Sequence, residues 1–162
     1  MKINGFLFLI AILFAVPLLQ SCAEQEAVPG EVLAKKFLMV VNKGDNTVTV
    51  IDRRDYKILG EIFTGIGPHE ITVSKKGMAV VANYGTRYNP GSSLTMIDLN
   101  RLELSGFIDL PRIRTPHGVV FLADDQRVAV VAEDSKRILI VNVITGEIEQ
   151  SMRTRQDMPH LV

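Results

Sequence analysis

The feature that most constrains this chain is a strand pattern written three times at nearly constant spacing. Met39-Val-Val-Asn42, Val80-Val-Ala-Asn83 and Val130-Val-Ala-Glu133 are one apolar strand, ending each time in a polar residue that can open a turn. Val50-Ile-Asp52, Met96-Ile-Asp98 and Ile140-Val-Asn142 form the next strand, and a third follows over 56–63, 102–110 and 146–152. A Pro-His pair then begins a fourth, at Pro68-His69, Pro116-His117 and Pro159-His160. Asp52 and Asp98 lie 46 residues apart, Asp98 and Asn142 44, and His117 and His160 43. Four short strands per repeat of that length define propeller blades; leucine-rich solenoids repeat at roughly half the length, and helical arrays need amphipathic helices. From Phe37 onward the apolar runs are β-branched and broken by Gly, Asn, Asp and Pro, with no sustained helical period. The expected fold is all-β: a partial β-propeller of four-stranded antiparallel blades, about three blades' worth of strands.

The residues also carry a family likeness. Val41-Asn42 through Asn46-Thr-Val-Thr-Val-Ile-Asp52, Asn83 through Leu94-Thr-Met-Ile-Asp98, and more loosely Glu133 through Ile138-Leu-Ile-Val-Asn142 resemble the YVTN β-propeller repeat. In that repeat a strand ending Val-Thr-Asn is followed by a short turn and Val-x-Val-Ile-Asp. The resemblance covers 37–162 and implies a fold; it implies no single function, because such repeats serve binding, catalysis and scaffolding alike.

Lettering the strands of a blade A to D from the channel outward, with Pro-His opening strand A, places Phe37 at the start of a strand B. The first blade is therefore expected to lack its own strand A, and His160-Leu161-Val162 to begin a strand A with nothing behind it. A ring needs about four blades or more. The domain 37–162 is thus expected to be truncated, or to be completed by self-association of identical chains through its open edges.

Ahead of the repeats, the uncharged apolar run 6–19 follows Lys2 and is short for a spanning helix, so 1–21 reads as a secretory signal peptide. Leu19-Gln20-Ser21-Cys22 resembles the bacterial lipobox, which implies lipid on Cys22 and a tether over 22–36, broken by Pro29 and Gly30. Gln20 stands where that motif usually has a small residue. Ser21-Cys22-Ala23 also offers a small-x-small cut that would release a soluble exported protein, and an uncleaved anchor is the third reading. Each puts the repeats outside the cytoplasm, on the cell envelope if Cys22 carries lipid.

Cys22 is the only cysteine, so the chain can build no intramolecular disulfide, cysteine-ligated cluster or covalently attached haem. Its 18 basic and 18 acidic residues give no footprint for wrapping a polyanion. The sequence has no phosphate-binding glycine loop, no Gly-x-Ser-x-Gly elbow and no His-Glu-x-x-His pair.

All three histidines, His69, His117 and His160, occupy the same repeat position. The D-to-A link of a blade lies near the channel, so they are expected to gather around that opening, one per blade. Neutral imidazoles presented together can bind a transition metal, titrate near neutrality, or hydrogen-bond an anionic or carbonyl ligand. Glu70, beside His69, is a candidate auxiliary ligand. The competing structural reading is a recurrent loop residue that bonds a neighbouring blade's backbone, with Glu70 a solvated turn residue. A second candidate is the loop 84–93. Asn83 to Asp98 is 15 residues, against 10 from Asn42 to Asp52, so the second blade carries an insertion bearing Tyr84, Arg87 and Tyr88. Asp52 and Asp98 are expected to cap turns.

Three functions fit these residues. The leading one is a membrane-tethered envelope binding or scaffold module presenting a propeller face to a small ligand, peptide or protein partner, with no cofactor assigned. The second is a metal- or cofactor-dependent oxidoreductase, or a lactonase-like hydrolase, using the histidines. The third, single-strand nucleic acid binding, is disfavoured by the even charge and the few aromatic residues.

Overall fold

A computed structural model of the chain describes residues 36–162. The signal-peptide reading over 1–21, Cys22 and the tether up to residue 35 lie outside the described residues.

Eleven strands run β1 (Phe37–Asn42), β2 (Thr47–Asp52), β3 (Ile58–Phe63), β4 (Pro68–Val73), β5 (Met78–Gly85), β6 (Pro90–Asp98), β7 (Glu103–Asp109), β8 (Pro116–Phe121), β9 (Arg127–Ala132), β10 (Arg137–Asn142) and β11 (Ile148–Arg153). They make three antiparallel sheets, ordered β1-β2-β3, β4-β5-β6-β7 and β8-β9-β10-β11. This is the expected partial β-propeller, two four-stranded blades beside a three-stranded one, with no helix among the described residues. As the register argument requires, β1 has no inner partner in its sheet, and β4 and β8 start at Pro68 and Pro116. Proline suits that position because the first residue of an inner strand need not donate to the ladder.

One expectation needs correction. Residues 154–162 form no strand, so Pro159-His160 does not open a strand A as its two counterparts do. The segment is instead held by a backbone bond from Gly118 N to His160 O, 3.1 Å. Strand A is defined by pairing with strand B, and among the described residues no strand pairs with 159–162. The same dipeptide therefore docks on the preceding blade.

The continuous apolar runs of the B strands follow from burial on both faces. Successive side chains alternate across a strand. In β5, Ala79 and Val81 pack toward the first blade with Val48, Val50, Ile62, Ile97 and Leu99. Val80 and Ala82 pack toward the third with Leu94, Ile108, Leu110, Val128, Val130 and Leu139. Each blade-to-blade seam is its own hydrophobic core, and β5 contributes to both.

The expected turn caps are present. Asp52 Oδ1 accepts from Arg54 N at 2.8 Å and Asp98 Oδ1 from Asn100 N at 2.8 Å; Asn142 Oδ1 accepts from Ile144 N at 2.9 Å. Arg54 also donates through its guanidinium to Asp52, which holds that carboxyl down at about 2.

Candidate functional site

The local chain geometry at one end of the blades assembles five polar side chains from both four-stranded sheets and the C-terminal segment. His69 is the second residue of β4, fixed by the turn 65–67 that precedes it. Gly67 has φ +58°, its N–H donates to Asn46 Oδ1 at 2.7 Å, and its carbonyl accepts from Tyr84 N at 3.0 Å. A Cβ on Gly67 would stand 2.2 Å from Gly85 O, so only glycine allows β5 to run this far beside the turn. That extension, which the insertion in the second blade makes possible, carries Tyr84 to the histidines.

His117 follows Pro116 in β8. Thr115, just before it, accepts from Glu133 N through its carbonyl at 3.1 Å and from Asp134 N through Oγ1 at 2.8 Å. The end of β9 is thereby pinned beside His117. Gly118 then gives room to the terminal segment, since a Cβ there would meet His160 O at 2.8 Å.

The three imidazoles form a stack with His117 in the middle. Its ring centroid lies 4.0 Å from that of His69 and 4.0 Å from that of His160, with interplanar angles of 42° and 43°. Tyr84 packs edge-on against His117 at 5.4 Å, and Lys43 Nζ sits 4.4 Å over the Tyr84 ring, a cation–π contact at the margin of the cluster. Glu133 closes the group. Its Oε2 accepts from Tyr84 Oη at 2.6 Å, and its Oε1 lies 2.9 Å from His160 Nδ1, where the Nδ1–H tautomer donates. His117 Nε2 is 3.8 Å from the same oxygen.

Burial grades the cluster. His117 is 2% exposed and Glu133 4%, whereas the His160 side chain is 61% exposed and His69 is half-buried. His117 Nδ1 is the one buried side-chain polar atom without a hydrogen-bond partner among the described residues. Buried polar groups are nearly always satisfied, so this nitrogen calls for a partner beyond the protein's own groups, water included.

The charges follow from these contacts. Burial, reinforced by the flanking His69 and His160, pushes the His117 imidazole down from its usual 6.5, and Glu133 and Glu70 offset only part of this. Burial alone would raise Glu133, but the hydrogen bonds from Tyr84 and His160 and the imidazoles around it outweigh that and hold the carboxyl below its ordinary value. The bond to Glu133 and burial push the Tyr84 phenol up to about 12. At neutral pH the site is thus an ionised carboxylate and a neutral phenol around a neutral central imidazole.

Two sets of side chains bring potential metal ligands within 4.8 Å of one another: His69, Glu70 and His117, and His117, Glu133 and His160. In the first, Glu70 Oε1 is 3.6 Å from His69 Nδ1. Among the described residues each set pairs two imidazoles with a carboxylate, and His117 belongs to both.

The candidates read from the sequence thus separate. His69, Glu70, His117, His160 and Tyr84 are brought together; Arg87 and Tyr88 stand exposed at the tip of the β5–β6 hairpin, Tyr88 at 92%. Glu133 escaped sequence reasoning, although it carried a signal. It occupies the strand-end position held by Asn42 and Asn83, which bond hydroxyls of their own blades: Asn42 Nδ2 donates to Thr49 Oγ1 at 2.7 Å and Asn83 Nδ2 to Ser93 Oγ at 2.9 Å. A carboxylate in place of a repeated amide marked a different role. Away from this cluster, a cleft of about 390 Å³ lined by Ser74, Met78, Asp98, Asp125 and Val143 lies at the opposite ends of the same strands.

Fold and site define a class, a partial β-propeller with a histidine cluster at the inner blade ends. Among solved structures the chain is similar to Kuenenia stuttgartiensis hydrazine synthase, with a TM-score of 0.69 and 19% identity, over 88% of this chain and 41% of that one. The chain therefore spans well under half the length of that structure, and the likeness is one of fold. No protein-family model and no curated protein sequence matches.

Proposed function

We propose that the chain is a binding module of the cell envelope, exported by its N-terminal segment and tethered through lipid on Cys22, which presents the histidine end of its blades to a ligand. The observation that supports a binding role is the convergence of His69, His117 and His160 on one point, with a buried carboxylate and an unsatisfied imidazole nitrogen among them. Repetition alone accounts for the recurring histidine; it does not account for the Tyr84 phenol or the Glu133 carboxylate, which the equivalent positions of the other blades lack. A recurrent structural residue would bond a neighbouring blade's backbone through its ring nitrogens. The histidines stack on one another instead.

The test is isolation of the native protein from membranes of cells fed radiolabelled palmitate, followed by mass spectrometry of what it retains. The expected result is label on the parent, none on Cys22→Ala, and a small molecule or partner retained by the parent and lost from a His69→Ala/His160→Ala double variant. Retention identical in parent and variant removes the binding reading, and an unlabelled cytosolic protein removes the tether.

A further inference from the structure

We propose that His117, Glu133 and His160 form a site for a single divalent transition-metal ion of the zinc type. The inference rests on the binding reading of the histidine cluster and gives its ligand a chemical class.

Two imidazoles and a carboxylate are a donor set suited to zinc and its neighbours, and unsuited to calcium or magnesium, which take oxygen shells. The spacing agrees. Ligands held at about 2.0–2.1 Å in tetrahedral geometry stand roughly 3.3 Å from one another. Glu133 Oε1 lies 2.9 Å from His160 Nδ1 and 3.8 Å from His117 Nε2, values that bracket that separation, and all three ligand atoms lie within 4.8 Å of one another. An ion at this point would take the place of the Nδ1 proton that faces Glu133, and the neutral His160 imidazole would then carry its proton on Nε2.

Three further features favour this set over His69, Glu70 and His117. First, Glu133 is buried and ionised, whereas Glu70 is partly exposed to water. A desolvated carboxylate attracts a cation more strongly than a solvated one. Second, the other carboxylate oxygen is fixed by the 2.6 Å bond from Tyr84, the kind of outer contact that orients a metal ligand. Third, the set is buried on one side and open on the other: His160 is exposed, giving an ion a way in and leaving a coordination position facing solvent. An open position is the mark of sites that exchange or activate a bound molecule, in contrast to closed structural zinc sites. His69, stacked on His117, holds the central ring in orientation.

The experiment is calorimetric titration of the metal-free full chain with zinc chloride. One ion per chain is expected. Glu133→Gln, which keeps the side-chain shape, and His160→Ala, which alters an exposed residue, should each weaken uptake by on the order of 100-fold or more, and Tyr84→Phe by about 10-fold. Glu149→Gln, at an outer-strand carboxylate, should leave uptake unchanged. Absence of saturable uptake overturns the proposal, as does uptake that survives both Glu133→Gln and His160→Ala. A loss confined to Glu70→Gln assigns the ion to the other set and also overturns it. The binding reading is separable from all of these: a histidine-dependent ligand retained by the native protein survives a failed zinc titration, and zinc uptake in a protein that retains nothing else leaves only the metal site.

Discussion

The Tyr84 hydroxyl of the second blade donates a 2.6 Å hydrogen bond to Glu133 Oε2 of the third, across the seam between two separate sheets. It links the insertion that distinguishes the second blade to the substitution that distinguishes the third. A bond to a buried carboxylate contributes more than one between neutral groups, about 1.5–3 kcal/mol. Tyr84→Phe should therefore destabilise the protein by about that amount in urea unfolding, with an unchanged denaturant slope. A change below about 0.5 kcal/mol would mean that water replaces the phenol at no cost.

The same bond sets an alkaline limit. Because the Tyr84 phenol is raised from 10.0 to about 12 in the folded chain, the folded state holds its proton more tightly than the unfolded state does. The resulting stability is complete below pH 10 and is lost as pH rises from 10 through about 12. Absorbance titration should show a tyrosinate transition near pH 12 that Tyr84→Phe abolishes.

Acid acts through His117. Its folded-state value lies below 6.5, so the unfolded chain binds a proton that the folded chain refuses. Its contribution is present above pH 6.5 and is lost as pH falls below that toward the lowered folded value. In the metal-free protein, ring resonances assigned to His117 by magnetic resonance should titrate below 6.5, and His117→Gln should flatten the stability profile over that interval. Titration of His117 at 6.5 or above would contradict the burial argument.

Backbone geometry gives a fourth prediction. Gly67→Ala places a Cβ at φ +58° and 2.2 Å from Gly85 O. The left-handed conformation alone costs about 1–2 kcal/mol. The clash should also force Tyr84 away from Glu133, so the tyrosinate transition near pH 12 should move down toward 10. Gly44→Ala, with nothing near its added carbon, serves as the control.

The seams make a fifth. Leu94 is fully buried between the second and third blades, and Leu94→Ala should cost about 2–5 kcal/mol. Tyr88→Ala, at the exposed hairpin tip, should change stability by less than about 0.5 kcal/mol. Thermal unfolding of the pair distinguishes a residue that joins blades from one that only decorates them.

How far the sequence reaches can be read from individual residues. Val80 and Val81 point to opposite seams because side chains alternate along a strand, and an apolar run such as Met78-Ala-Val-Val-Ala82 already implies burial on both faces. The 43–46-residue spacing determined the blades and the shared position of the histidines, and the residue types determined the turn caps at Asp52 and Asp98. These are local or periodic properties, written within a few residues or one repeat. Tertiary structure alone decided which side chains meet. Tyr84 and Glu133 lie 49 residues apart, and His160 leaves its strand-A pattern to dock on Gly118. Such contacts depend on how one sheet is seated on the next, which no repeat encodes. The sequence thus specified blades with a histidine recurring after proline, and the packing of one blade on another gathered those histidines around the buried Glu133.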